Sequence, residues 1–297
     1  QQGALKGYNP KKKGRNSHHP LMAFVSDVRM IANFWLRSGN TSAANNFLNF
    51  LEDTLGRLEG KKVGLIRADS GFYSDQIFKY LESAEKQLNY IIAAKFYLPL
   101  KRRLASHKTW ISLDEGIEIA ETQYQSPSWD SPRRIIMVRQ NIKQRPNAIG
   151  KQLELFDDTT DYYNYRYSCF VTNLELPAKA VYDLYRGRAD AENRIKEVKE
   201  DFGADHFNMH DFWATEAALN FVMFAYNLFS LFRQAVIGTK IQNQLKTLRY
   251  RLFAIGSYIV KDGNSKILKL AAEMKRRNWI SGLWKSVDMM SWPAYFY

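Results

Sequence analysis

Four residues that could act together on a phosphate ester lie close together along the chain: Tyr185, Arg188, Glu192 and Lys199. If residues 179–202 form one helix with about 100° per residue, these side chains fall within about 60° of one another. A carboxylate can hold a divalent metal ion, while guanidinium, ammonium and phenol groups can hold phosphate oxygens. The spacing therefore predicts a helix edge suited to metal-dependent chemistry on a phosphodiester.

The same helix carries an apolar stripe that should face a protein core. Its members are Leu184, Ala191, Ile195, Val198 and Phe202. The four polar residues lie roughly 80° from this stripe, at the border between core and solvent. Charged residues at such spacings are also common on solvated helix faces, and the spacing by itself favours that interpretation. The tyrosine is the member that a solvated face would not need.

A metal site requires more than one carboxylate, because Mg²⁺ binds through one or two acids together with substrate phosphate. The best second candidate is Asp69, in the segment RADSGFYS that follows the apolar run VGLIRAD. That run has the composition of a buried strand, and ligand groups gather at the carboxyl ends of strands in α/β sheets. An aspartate before Ser-Gly is also a common turn former, which is the competing interpretation.

Together these residues resemble a known family. Tyr185, Arg188, Glu192 and Lys199 match the Y-x2-R-x3-E-x6-K signature of bacterial insertion-sequence transposases of the DDE type, and RADSGF resembles the segment that holds their second catalytic Asp. The resemblance implies Asp69 and Glu192 as catalytic metal ligands for Mg²⁺ or Mn²⁺. It further implies that the other three signature residues bind DNA, that transposon-end DNA is cut and joined to target DNA, and that the protein works as a homodimer.

The first catalytic aspartate of that family has no good match. GYNPKKKGR and HHPL resemble the segment that follows it, so we expect an N-terminally truncated chain that is inactive as given. Asp27 fits poorly as a substitute, since the core needs a β-hairpin after the first Asp and the sequence predicts a helical stretch there. Two alternatives stay open: a non-catalytic DNA-binding remnant of a transposase, and a metal-dependent nuclease of the same fold.

The order of predicted elements indicates an α/β protein with helices packed on a sheet. With the resemblance, the expected fold is a ribonuclease-H-like mixed sheet flanked by helices, with a helical C-terminal part. We predict a first core part over 1–99 that lacks the first strand, and a β-rich insertion over 100–178 before the catalytic-glutamate helix. Core helices over 179–237 carry the glutamate, and 238–297 is a basic helical region.

Composition favours a polyanion partner, either nucleic acid or an anionic membrane surface. The formal net charge is +13, and residues 240–297 contribute 11 basic residues against 3 acids. The single cysteine, Cys169, excludes internal disulfides and suits a reducing compartment, so we expect a cytoplasmic, nucleoid-associated protein. The longest apolar run, 217–232, is short for a membrane span and predicts a buried core helix. KKKGR (11–15) and KRR (275–277) are candidate phosphate contacts or solvated segments.

Overall fold

A computed structural model describes residues 1–7, 13–143, 159–162, 164–238 and 243–289. The chain divides into two compact units. We call residues 3–23 with 35–192 the sheet unit, and residues 1–2, 24–34 and 193–297 the C-terminal unit.

The helices and strands follow one another along the chain in a mixed order. They are β1 (Leu5–Lys6), β2 (Asn16–Ser17), β3 (Leu21–Val25), β4 (Met30–Trp35), α1 (Phe47–Arg57), β5 (Ile66–Ala68), α2 (Asp75–Glu82), β6 (Tyr90–Ala93), α3 (Leu98–Ser106), β7 (Ile111–Asp114), β8 (Ile117–Tyr124), β9 (Arg133–Asn141), β10 (Thr159–Tyr162), β11 (Tyr165–Thr172), α4 (Ala178–Arg186), α5 (Ala189–Glu200), α6 (Phe212–Phe232), α7 (Leu245–Leu248), β12 (Ser257–Asp262), β13 (Ser265–Leu270) and α8 (Met274–Asp288).

The sheet unit is built on one mixed sheet in the order β5-β6-β11-β9-β8-β7, with β10 also paired to β11. Strands β5 and β6 are parallel, and the other neighbours are antiparallel. The strands β7 to β11 come from the predicted β-rich segment 100–178, which also contains most of α3. Through the pairing of β11 with β6, those strands extend the same sheet that β5 begins.

The central strands of this sheet are apolar at nearly every position, and both faces of the sheet are covered by helices. One face packs against residues of α1, α2 and α3, and Ile92, Met137 and Cys169 are among its buried strand residues. On the other face, Ile91 and Phe170 pack with Val181 and Tyr185 of α4. The predicted α/β class, with a mixed sheet flanked by helices, is confirmed.

The predicted single helix over 179–202 is wrong. The chain forms α4 and α5, with Gly187 and Arg188 between them. The amides of Arg188 and Ala191 bond carbonyls three residues back, which tightens the backbone at the break. Leu184 was assigned to the apolar stripe but is exposed, whereas Tyr185 is buried. A glycine in the middle of a helical pattern was the signal for this break.

In the C-terminal unit, α6 packs against the tip of the β3–β4 hairpin. The side chain of Asn227 bonds both the N–H and the carbonyl of Ile31, at 2.8 and 2.9 Å. Asp27 lies in the exposed turn of this hairpin, so the helical stretch predicted after it is wrong and β4 follows instead. The prediction of a buried core helix over 217–232 is only half correct, because Phe221 and Phe224 of α6 are exposed.

A buried charge cluster lies inside the same unit. The Glu197 carboxylate accepts hydrogen bonds from the Arg233 guanidinium and from the N–H of Leu245, the latter at 2.8 Å. Arg194 completes the cluster, and burial beside it raises the pKa of Tyr226 to about 12. These bonds join α5, the end of α6 and α7, because a buried carboxylate needs several donors.

The region 238–297, predicted to be helical, contains α7 and α8 but also an antiparallel hairpin that β12 and β13 form. The turn passes through Gly263, whose φ of +58° is a conformation that glycine adopts without steric cost. The dipeptide Asp262-Gly263 between runs rich in Ile, Val, Leu and Tyr was the missed hairpin signal. None of the helices in the described ranges combines the length and apolarity needed to cross a membrane.

Arg133 of β9 ties the sheet to α2. Its guanidinium donates to Glu82 and Asp75, at 2.8 Å in each case, and lies 5.0 Å from the ring centres of Phe78 and Trp129. The Arg133 side chain is only 4% exposed. Burial would raise the pKa of Asp75, but hydrogen bonds from Lys79 and Arg133 outweigh it and lower that pKa. The cluster therefore sets the position of α2.

Replacing this arginine should destabilise the protein. Arg133→Met leaves two partly exposed carboxylates without their buried partner, so the free energy of unfolding should fall by about 3 kcal/mol, the lower end for broken buried ion pairs. Urea unfolding followed by circular dichroism measures the change. Arg102→Met, at an exposed position of α3, is the matched control and should change stability by less than about 0.5 kcal/mol. Equal effects of the two variants would show that the Arg133 cluster is not a stabilising contact.

The lowered pKa of Asp75 predicts an acid dependence. Because the pKa is lower in the folded state, the stabilisation is complete above the unfolded value near 4 and is lost as the pH falls through the folded value. Asp75→Asn should therefore flatten the fall of the melting temperature below about pH 4. Melting curves collected across this acidic range test the expectation, which parallel curves for the two proteins would contradict.

Candidate functional site

Asp69 lies directly after β5, at the start of a tight turn. The residue is buried, and its Oδ1 accepts the N–H of Gly71 at 2.7 Å, which caps the short 3₁₀ turn Ser70–Phe72. A Cβ atom at position 71 would lie 2.7 Å from both Oδ1 of Asp69 and Cβ of Ala43. Glycine is therefore required for the turn to close, and the turn holds the carboxylate in one orientation.

A loop that contains Ala43 supports this turn, and Arg37 holds the loop in place. The buried Arg37 guanidinium donates to the carbonyls of His19 and Ser42, at 3.0 and 3.1 Å, and to the carbonyl of Asn45. Burial lowers the pKa of Arg37. Because one cation binds carbonyls from several segments, the loop against which Asp69 is positioned has a defined shape.

Glu192 lies in the first turn of α5 and is held by Arg188. Nη2 of Arg188 donates to Oε1 of Glu192 at 2.7 Å, and both side chains are largely buried. The same guanidinium lies 5.3 Å from the ring centre of Tyr185, whose ring packs 4.2 Å from that of Phe170 in β11. Three of the four signature residues thus form one continuous series of contacts that begins at the sheet.

Arg67 connects the Asp69 strand to this series. It lies on β5, two residues before Asp69, and its Nη1 donates to the carbonyl of Leu184 at 2.7 Å. A Cβ atom at Gly187 would lie 2.6 Å from the same nitrogen. The break between α4 and α5 therefore packs directly against the residue that precedes the Asp69 turn. This contact brings together segments that lie more than a hundred positions apart in the sequence.

Lys199 is placed differently from the other signature residues. It is exposed in the last turn of α5 and belongs to the C-terminal unit, whereas Tyr185, Arg188 and Glu192 belong to the sheet unit. It follows Glu192 by seven positions, so the two share a face of α5 about 10 Å apart along the axis. Of the two phosphate-contact candidates, KKKGR lies partly outside the described residues, while KRR lies in the first turn of α8.

Sequence reasoning missed Arg67, Gly187 and Phe170. Arg67 was inside the motif RADSGF but had no role assigned to it, because nothing in a sequence says that its side chain reaches the end of a distant helix. Gly187 carried a signal, since a glycine inside a helical pattern is costly unless something packs against it. Phe170 was one more apolar residue of a strand.

The carboxylates of Asp69 and Glu192 are suited to bind a divalent cation, but they are only two of the three acids that the resemblance implies. Mg²⁺ and Mn²⁺ prefer carboxylate oxygens, and Asp69 and Glu192 present such oxygens from positions fixed by Gly71 and Arg188. Within the described residues, no three His, Cys, Asp or Glu side chains cluster in a way that could hold a metal ion. Two carboxylates are enough for one magnesium ion that also binds substrate phosphate.

Comparison with known proteins gives a family and a distant structural likeness. The family profile described as "Transposase DDE domain group 1" matches residues 3–292. The chain is also similar to the piggyBac transposase in a cryo-EM structure of its synaptic complex with hairpin DNA, at 12% identity and a TM-score of 0.47. The alignment covers 82% of this chain and 47% of that chain, so this chain spans about half of that protein's length. Curated proteins gave no match.

The contact between Arg67 and Gly187 can be tested with two glycine substitutions. Gly56 lies inside α1 with nothing within 4 Å of an added Cβ, so Gly56→Ala should raise the free energy of unfolding by about 0.5–1 kcal/mol. Gly187 has φ −59° and ψ −16°, which alanine also adopts, so Gly187→Ala would likewise restrict the unfolded chain. The added Cβ must, however, displace the Arg67 guanidinium and weaken its bond to Leu184. Its net change should therefore be near zero or negative in urea unfolding. An equal gain in both variants would contradict the contact.

Proposed function

We propose, because this chain belongs to the family of DDE transposase domains of group 1, that it is the catalytic domain of a transposase that cuts and joins transposon-end DNA. The observation that carries the proposal is the contact of Arg67 with the end of α4. It places the strand that leads to Asp69 beside the break that leads to Arg188 and Glu192. Carboxylates can hold a divalent metal ion, and cationic neighbours can hold phosphate oxygens, which are two contributions a protein makes to metal-dependent phosphoryl transfer.

Asp69 and Glu192 are the proposed catalytic residues, and they would hold Mg²⁺ or Mn²⁺. The metal, when bound, activates water and stabilises the charge that develops on the phosphodiester. The turn closed by Gly71 keeps the Asp69 carboxylate oriented, and Arg188 does the same for Glu192. Rigid ligands are favourable because Mg²⁺ demands near-ideal coordination geometry.

The proposed DNA-binding residues are Tyr185, Arg188 and Lys199. Their surroundings differ, so each would contribute to DNA binding in a different way. Lys199 is exposed and can reach a phosphate directly, on the α5 face that it shares with Glu192. Arg188 forms an ion pair with Glu192, so its guanidinium would contact phosphate from beside the carboxylate. Tyr185 has a buried ring, and it supports Arg188 by packing between that residue and Phe170.

The finer aspects of the fold and setting are part of the same proposal. The sheet would be ribonuclease-H-like, with 1–99, 100–178, 179–237 and 238–297 as the first core part, the β-rich insertion, the glutamate helices and the basic C-terminal region. The parallel β5–β6 pair, covered by helices on both faces, supports this assignment. The protein would act as a homodimer on two transposon ends and on target DNA, in the cytoplasm of a bacterium and associated with the nucleoid.

A third carboxylate decides between an active transposase and a non-catalytic DNA-binding remnant. The resemblance implies three acids, and Asp69 and Glu192 correspond to two of them. The sequence encoded upstream of Gln1 distinguishes these two alternatives. Sequencing the encoding DNA tests this directly: an upstream strand-like segment with Asp supports catalysis, and a reading frame without it supports the remnant.

The cutting activity itself is tested with the full reading frame that contains this chain. With Mg²⁺ and labelled element-end DNA, the wild type should cut at the element ends. Glu192→Gln and Asp69→Asn should each lower the rate by at least about 10³-fold, since the metal ligands act only as a set.

The matched controls are Glu200→Gln, an exposed position on the same helix, and Asp130→Asn, an exposed residue near α2. Both should cut at the wild-type rate. Cutting of any DNA without preference for element ends would replace the transposase proposal with a plain metal nuclease. Unchanged cutting by Glu192→Gln would remove the site itself.

A further inference from the structure

The hairpin β12–β13 of the C-terminal unit is exposed over almost its whole surface. Of its twelve strand residues, only Val260 and Leu270 are partly covered. Isolated two-stranded hairpins are marginally stable in water and usually pack on something else. Both faces are available to a partner.

The cross-strand register places like charges opposite one another near the tip. Lys261 pairs directly with Lys266 on one face, and Lys269 pairs with Tyr258 on the other. Like charges that lie directly opposite each other destabilise a two-stranded pair, and a nearby negative charge would offset this repulsion. Asp262 is the one acid of the hairpin, and none of the three lysines forms an ion pair with any residue in the described ranges. A polyanion bound to the hairpin would supply the missing negative charge.

The surroundings of the hairpin extend this positive charge. The backbone of Ala271 bonds Gly256 at the hairpin base, and α8 begins three residues later with the KRR segment. Arg276 of that segment lies 5.4 Å from the ring centre of Tyr250 and pairs with Glu273, so its charge is partly compensated. Lys275 and Arg277 add two further exposed cations.

The dimensions distinguish between the two grooves of duplex DNA. Two paired strands lie about 4.8 Å apart, and six residues extend about 20 Å. The major groove, about 12 Å wide, admits a two-stranded ribbon, whereas the minor groove, about 6 Å wide, is too narrow for one with its side chains. Lysines on both faces of such a ribbon can reach phosphates on the two sides of the groove.

We propose that the β12–β13 hairpin is a DNA-binding ribbon that enters the major groove, with Lys261, Lys266 and Lys269 contacting phosphates. This inference rests on the proposed function, since it takes DNA as the partner. It assigns to the C-terminal unit a DNA contact that involves neither Asp69 nor Glu192.

The test measures the salt dependence of DNA binding by the full chain. The triple variant Lys261→Gln, Lys266→Gln, Lys269→Gln is compared with the wild type by fluorescence anisotropy on a labelled duplex of mixed sequence. Because each neutralised phosphate contributes about 0.9 to the slope of log affinity against log salt, the slope should fall by roughly 2 to 3. Between 50 and 200 mM salt, this corresponds to about 40-fold less loss of affinity in the variant than in the wild type.

Two further variants separate local contacts from net charge and from misfolding. Lys61→Gln, Lys62→Gln, Lys108→Gln removes three exposed charges from the sheet unit and should leave the slope within about 1 of the wild-type value. Replacing the three ribbon lysines with arginine keeps the charge and should restore the wild-type slope. If the arginine variant restores binding, loss in the glutamine variant cannot be attributed to an unfolded hairpin.

The outcomes distinguish this inference from the proposed function. Equal slopes for the ribbon variant and the sheet-unit control would overturn the ribbon inference and leave transposon cutting untouched. A ribbon-dependent slope without end-specific cutting would retain the ribbon and overturn the transposase proposal. Light scattering in the absence of DNA measures the oligomeric state of the same variants. If the glutamine variant changes the oligomeric state and not the slope, the hairpin mediates contacts between copies of the chain and the ribbon inference is overturned.

Discussion

The pairing of β11 with β6 is the constraint on which the sheet unit depends. Thr172, Val171 and Phe170 lie opposite Ile91, Ile92 and Ala93, and the Thr172 hydroxyl donates to the carbonyl of Tyr90. This pairing joins the parallel β5–β6 pair to five later antiparallel strands. It also turns Phe170 toward α4, where its ring meets Tyr185. One register therefore sets both the extent of the sheet and the position of the helix that leads to Glu192, since a slip by one residue would exchange the two faces.

Four arginines hold structural elements in place within the two units. Arg37 binds loop carbonyls, Arg67 binds the end of α4, and Arg133 binds two carboxylates of α2. In the C-terminal unit, Arg233 binds the buried Glu197. The planar guanidinium suits such roles because it donates in several fixed directions and keeps its charge when buried. The charge of these four arginines is committed to internal contacts, and exposed lysines and arginines are the cations available to a polyanion.

The sequence predicted the class of the fold well and its details unevenly. Apolar strand runs and the helices beside them identified a mixed α/β architecture, because burial on both faces leaves a continuous apolar pattern. Among the expectations that failed, three have a clear local reason. Gly187 divided one expected helix into two, Asp262-Gly263 formed a hairpin turn in a region expected to be helical, and α6 kept one apolar face exposed although its composition predicts burial. In the first two cases the residue that decided the outcome was visible in the sequence, but the helical pattern around it was given more weight.

For the candidate site, the sequence by itself determined which residues are candidates for the chemistry. The types and spacing of Tyr185, Arg188 and Glu192, with Asp69 after an apolar run, depend only on local pattern. What holds these side chains was decided by the tertiary structure, since Arg67, Gly71 and Phe170 act through contacts with segments distant in sequence. The physical reason is that side-chain chemistry is a property of each residue, whereas a contact between distant segments exists only after the sheet register and the helix break have brought them together.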